Sequence, residues 1–153
     1  MAGSADVFFS TISTLSDDLK ARKISSVELT KAFAERLQKL GPRYNALALP
    51  LTDIGLRKAK EVDGDIKRER FRGPLQGIPF AVKDLLSAAK RPTTWGAKPY
   101  AAQIFDEDAT VIRKLDKAGA VLIAKLAMVE LAGGPSYRYA TASMFGAGLN
   151  PWD

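Results

Sequence analysis

Two short apolar runs, Gly77-Ile78-Pro79-Phe80-Ala81-Val82 and Ala120-Val121-Leu122-Ile123-Ala124, flank a segment with helix signals. Each run is strand-length and apolar on both faces, which predicts a strand buried within a sheet. Between them Asp106, Glu107 and Asp108 precede Ala109, Val111, Ile112 and Leu115, and Gly119 follows, so start and stop signals for a helix come in the right order. Strand, helix and strand predict an α/β architecture, with the two strands parallel if they share a sheet. Pro79 lacks an amide donor, which places the first of them at a sheet edge or makes its start irregular.

Upstream, the pattern is mainly helical. Ser13 to Lys23 carries Leu15 and Leu19 one turn apart, with Asp17 and Asp18 towards the positive end of a short helix. Ser25 and Glu28 stand in capping-box spacing before a stripe of Val27, Leu29, Ala32, Phe33, Ala34, Leu37 and Leu40 that stops at Gly41-Pro42. Asn45 to Pro50 reads as a short strand and Leu51 to about Arg70 as a helix weakened by Gly55 and Gly64. Phe71 to Gln76 reads as a linker, and Lys90 to Tyr100, with Pro92, Gly96 and Pro99, as an irregular loop. No repeat, low-complexity tract or domain boundary interrupts residues 1–153, which read as a single unit.

The chain contains neither histidine nor cysteine. A Ser-His-Asp triad and a Cys-His dyad are therefore impossible within it, and the usual zinc, haem and iron-sulfur ligand sets are missing. Any acid or base must be Asp, Glu, Lys or Tyr. The N-terminus lacks a basic region followed by a sustained apolar stretch, and no run approaches a membrane span, so the expectation is a soluble, unexported, cytoplasmic protein. A net charge of +6 raises the question of nucleic acid. The densest positive cluster, Lys67, Arg68, Arg70 and Arg72, is broken by Glu69 and reads as a solvated face, so no nucleic-acid partner is expected.

Lys83 and Lys125 each follow an apolar run and each could end a strand. The default for both is a stem lying on apolar surface with its ammonium in water. A functional lysine would instead need its ammonium form destabilised by burial or by nearby positive charge, so that a neutral amine can accept a proton. Lys83 has the more suggestive setting. Asp84 follows it directly but faces the opposite side of an extended chain, so it need not pair with Lys83 and could anchor the next loop.

The segment from Gly73 to Asp84, then Asp108-Ala109-Thr110-Val111, Ala118-Gly119-Ala120 and Asn150-Pro151-Trp152-Asp153, resembles the first part of the amidase signature family. Ser25-Ser26-Val27-Glu28-Leu29 is similar to the family's opening. The resemblance implies the N-terminal part of an α/β fold with a mixed sheet flanked by helices, incomplete here. It implies amide hydrolysis by a Ser, cis-Ser and Lys triad, with no metal or organic cofactor and a small-molecule amide as substrate. Lys83 occupies the position of the family lysine, which acts through a bridging serine on the nucleophilic serine, while backbone amides stabilise the oxyanion. Both serines belong to a glycine- and serine-rich segment that follows the Asn-Pro-Trp element, so the chain alone is expected to be inactive.

Other positions carry weaker signals. Ser136 and Ser143 lack the glycine-rich context and receive no catalytic role. Leu126-Ala127 stands where relatives commonly have Thr-Asn, which removes a helix-capping acceptor worth about 1 kcal/mol. Ala132 and Gly133 match positions that border the family's acyl pocket and could leave room for a bulkier substrate; flexible small residues after a short helix are the alternative. Trp95, Tyr100 and Phe105 could touch substrate or pack onto the surface. Tyr137, Arg138 and Tyr139 could meet a base and a phosphate, on the strength of one triplet. Two alternatives stand beside the hydrolase. One is a transamidating subunit, working with partner subunits on misacylated transfer RNA; the other is a noncatalytic interaction module that forms a homo-oligomer or binds a partner.

Overall fold

A computed structural model of the chain describes residues 6–133, 139 and 141–152. Helices α1 (Ile12–Lys20), α2 (Ser26–Leu40) and α3 (Thr52–Lys67) come first, with strand β1 (Leu47–Pro50) between the last two. Strand β2 (Pro79–Lys83), helix α4 (Thr110–Lys117) and strand β3 (Val121–Leu126) follow. The sheet order is β1-β3-β2, with β3 antiparallel to β1 and parallel to β2. The parallel β2-β3 pair is the one the two apolar runs predict, with Pro79 opening an edge strand, and the mixed sheet is the one the family resemblance implies.

Helix α2 starts where its capping box predicts. Ser25 Oγ accepts from the Glu28 amide at 3.1 Å, and Glu28 Oε2 accepts from the Ser25 amide at 2.8 Å. Hydrogen bonds from the Ser25 side chain and backbone hold the Glu28 carboxyl below its usual range. Asp63 of α3 adds a second cap, its two oxygens accepting from the Ser26 and Val27 amides at 2.7 and 3.1 Å. Because Asp63 still serves the first turn, Ser25→Ala is expected to cost only about 1 kcal/mol. Urea unfolding would measure it, and a loss of several kcal/mol would contradict this division of labour.

Three apolar clusters hold these elements together. Leu15, Leu19, Leu29, Val62, Ile66 and Ile78 join α1, α2 and α3 to the entrance of β2. Ala59, Val121, Ile123 and Ala124 pack α3 onto one face of the sheet. Leu51, Val82, Ala88 and Ile112 fill the other face beneath α4. Gly55 is the contact that brings α3 close: a Cβ there would lie 3.0 Å from the Leu122 carbonyl oxygen and 3.1 Å from Ile123 Cγ2. What reads in sequence as a weakness of the helix is a packing requirement.

One charged stretch differs from its sequence reading. The acids before α4 do not cap it; the helix begins only at Thr110, without a side-chain cap. Asp108 instead accepts from the Ala89 amide at 2.7 Å, and Asp106 pairs with Lys90, so both tie down the preceding loop. The basic cluster is the exposed face that its sequence reading gives, with two of its cations paired to one carboxylate. Arg68 and Arg72 both reach Asp65, and their hydrogen bonds hold its carboxyl below the ordinary range. Gln76 braces the same linker, accepting from the Arg72 amide at 2.7 Å and donating to the Arg70 carbonyl at 2.9 Å. Among the described residues no helix is long and apolar enough to cross a membrane.

Candidate active site

Lys83 is the last residue of β2 and pairs in register with Leu126 of β3, while its predecessor Val82 pairs with Lys125. Neighbours in register point to the same side of a sheet and successive residues to opposite sides. The two lysines therefore leave the sheet on opposite faces. Lys83 and Leu126 open into a cavity of about 540 Å³, whose wall includes Tyr44, Met128, Tyr139 and Leu149. Among the described residues Lys83 is the one charged side chain lining that cavity. It is exposed, and no hydrogen bond or ion pair joins its amine to another described residue.

Lys125 overturns its sequence reading as a solvated lysine. It is 0% exposed, and its Nζ donates to Asp84 Oδ1 at 2.6 Å, to Thr93 Oγ1 at 2.6 Å and to the Pro92 carbonyl at 2.8 Å. An ammonium has three donors, and all three are used. Burial pulls the Lys125 ammonium below the usual lysine range, opposed by the bond and charge of Asp84. Periodicity does not separate the two lysines. The available signal is Asp84: facing away from Lys83, it lies on the face where a lysine on a parallel neighbour would meet it.

Asp84 does anchor the following loop. Its Oδ2 accepts from the Thr94 amide at 3.0 Å and from the Thr94 hydroxyl. Thr94 Oγ1 then accepts from the Gly96 amide at 3.1 Å. Gly96 sits at φ +70°, and a Cβ there would lie 2.4 Å from the Met128 carbonyl oxygen. Neither the conformation nor the space suits a side chain, so Gly96→Ala is expected to cost about 2–3 kcal/mol. A thermal midpoint within a degree or two of the parent would refute that.

The remaining candidates fall at several places. Ala132 and Gly133 lie in a short 3₁₀ turn, Glu130–Gly133, in which Leu131 and Ala132 adopt left-handed φ of 49° and 64°. They are not among the residues lining the Lys83 cavity. Leu126-Ala127 leads into this turn with no α-helix after β3 among the described residues. Ser143 lines the cavity, and its hydroxyl accepts from the Phe145 amide at 3.2 Å. Trp95 packs against Tyr100 and Phe105, at centroid distances of 5.1 and 6.1 Å, so these aromatics form a cluster within their own loop. Tyr139 borders the cavity, whereas Ser136, Tyr137 and Arg138 lie outside the described residues. Among the described residues no group of three or more acidic side chains is placed to hold a metal ion.

Known proteins resemble the chain closely. The Amidase family model matches residues 28–153. A glutamyl-tRNA(Gln) amidotransferase subunit of Carboxydothermus hydrogenoformans is 36% identical over 97% of this chain and 30% of its own length. Its namesake in Dechloromonas aromatica is 40% identical over 94% of this chain and 29% of its own. Among solved structures, the native peptide amidase of Stenotrophomonas maltophilia superposes with a TM-score of 0.83 and 32% identity, over 94% of this chain and 30% of that one. The chain thus spans about 30% of the length of the relatives it matches.

Proposed function

The chain belongs to the amidase family, and from that premise we propose that it carries the lysine of an amide-hydrolysing site, with Lys83 as the proton-transfer residue. The observation that supports this is the contrast between the two lysines. Lys125 has every donor engaged and a carboxylate beside it, so it has no lone pair to offer. Lys83 stands at a strand end in a cavity with its amine unengaged by any described residue. A proton acceptor must be free to meet its partner before it can take a proton.

In this reading the Lys83 amine takes the proton of a bridging serine, which takes that of the nucleophilic serine. The nucleophile adds to the amide carbonyl, the proton passes to the departing amine as the C–N bond breaks, and water then cleaves the acyl-enzyme. No metal or organic cofactor takes part. Both serines come from a glycine- and serine-rich segment outside these 153 residues, and packing of that segment over the cavity supplies the burial that Lys83 lacks here. Ala132 and Gly133, which do not line the cavity itself, are assigned to the wall of the acyl pocket once that segment is in place, their small size leaving room for a bulkier substrate. The setting is the cytoplasm.

The decisive comparison is between the 153-residue chain and a longer frame that includes the glycine- and serine-rich segment, each assayed on simple amides. The longer protein is expected to hydrolyse them and the short chain to leave them intact. Hydrolysis by the short chain would sink the reading of an incomplete site.

The names of the amidotransferase relatives favour a second reading, a transamidating subunit that works with partner subunits on misacylated transfer RNA. The same assay separates them. Activity that appears only with partner subunits and transfer RNA favours this reading, and activity on a free amide favours the first.

A further inference from the structure

Lys83 needs more than a free amine; it needs a fixed position, and the edge of a sheet is a poor place to find one. Among the described residues β2 pairs only with β3, and Lys83 is its last residue. A strand end of this kind frays unless something beyond it is pinned. Here the next residue is pinned on all sides. The Asp84 amide donates to the Leu126 carbonyl at 2.8 Å, and the Asp84 carbonyl accepts from the Trp95 amide at 3.3 Å. The Lys83 carbonyl accepts from the Leu86 amide at 3.0 Å, which closes a tight turn. The Asp84 side chain, 1% exposed, crosses to the opposite face and joins Lys125, whose ammonium gathers Thr93 and Pro92.

We propose that the Asp84–Lys125 ion pair, with Thr93, is a positioning device that holds the Lys83 backbone in register, so that its amine meets the bridging serine. The inference rests on the amide-hydrolysis reading. Its physical basis is that a buried ion pair is a weak source of stability, since apolar side chains of the same volume would hold the sheet as well. What the pair adds is direction. Three acceptors on one ammonium define where Asp84 sits, and Asp84 is covalently joined to Lys83. A shift of about 1 Å in such a group can lower a rate about 100-fold without weakening substrate binding.

The test uses the enzyme that carries this chain together with the glycine- and serine-rich segment. In Asp84→Asn/Lys125→Met both charges are removed together, so no charge is left buried and unpaired. A second pair, Thr93→Val and Thr93→Ser, removes or keeps the hydroxyl that Lys125 reaches. With folding verified by circular dichroism at the assay temperature, kcat is expected to fall about 10- to 100-fold in the double variant, with KM within about twofold of the parent. Thr93→Val is expected to fall in the same way and Thr93→Ser to recover most of the loss. A residue that only stabilised the fold would shift the melting temperature and leave kcat alone. Unchanged kcat in the double variant, in an enzyme that Lys83→Ala inactivates, overturns the positioning role alone. Hydrolysis that survives Lys83→Ala overturns the amide-hydrolysis reading and this inference together. Should the double variant fail to fold, the Thr93 pair decides: loss in valine with recovery in serine supports the role, and parental kcat in both overturns it.

Discussion

Asp84→Asn alone is expected to destabilise the chain by about 3–5 kcal/mol, the usual consequence of leaving a buried charge without its partner. Lys125 stays 0% exposed, and its ammonium retains only the Thr93 hydroxyl, the Pro92 carbonyl and a neutral amide. The loss has a ceiling, because the lysine can shed its proton. From an ordinary value of 10.5, giving up that proton at pH 7 costs about 5 kcal/mol, at about 1.4 kcal/mol per unit. The direction of the pH dependence follows. Burial lowers the folded-state value, and removing the carboxylate takes away the opposing bond and charge of Asp84. Between that lowered value and 10.5 the unfolded chain binds a proton that the folded chain does not, so stability rises with pH across this window. Urea unfolding followed by Trp95 fluorescence should therefore show the variant's deficit shrinking from pH 7 to about pH 10. In Asp84→Asn/Lys125→Met most of the loss should be absent at every pH. A single variant as stable as the parent, or a double variant as damaged as the single one, would contradict this account.

The residues legible in sequence are those whose signal is local. The Ser25–Glu28 box reports its own neighbours, and the apolar runs ending at Val82 and Ala124 report strands packed on both faces, so α2, β2 and β3 lie where their patterns place them, β2 half-buried at the edge and β3 buried. Asp63 gives no such signal, because its cap serves a helix that begins 37 residues earlier. Asp108 misleads for a related reason: an acid just before a helix looks like a cap, yet this one spends its carboxylate on the Ala89 amide across a loop. The site is half visible. Position in the family motif singles out Lys83, whereas the burial of Lys125 depends on register with Val82 and on a loop from residue 92 to 94 that closes over it. No periodicity encodes a loop whose shape is set by single side chains bonding to distant backbone.

On the amide-hydrolysis reading Lys83→Ala should have the opposite profile to Asp84→Asn, and that opposition would tie chemistry to one lysine and architecture to the other. Lys83 is exposed and its amine has no bonded partner among the described residues, so its removal is expected to change stability by less than about 0.5 kcal/mol. In a protein that joins this chain to the proposed serine-bearing segment, the same change is expected to lower kcat about 10²- to 10⁴-fold, the range for losing a positioned proton acceptor, with KM nearly unchanged. Lys83→Arg should not restore the rate, because a guanidinium keeps its charge and five donors but has no lone pair to offer at neutral pH. Small primary amines added to Lys83→Ala should recover part of the activity, since the truncation vacates the volume of the lysine side chain for one to enter. An arginine variant near parental activity would mean that positive charge, not proton acceptance, is what position 83 supplies. Parental kcat in the alanine variant would remove Lys83 from the reaction altogether, whatever its place in the motif.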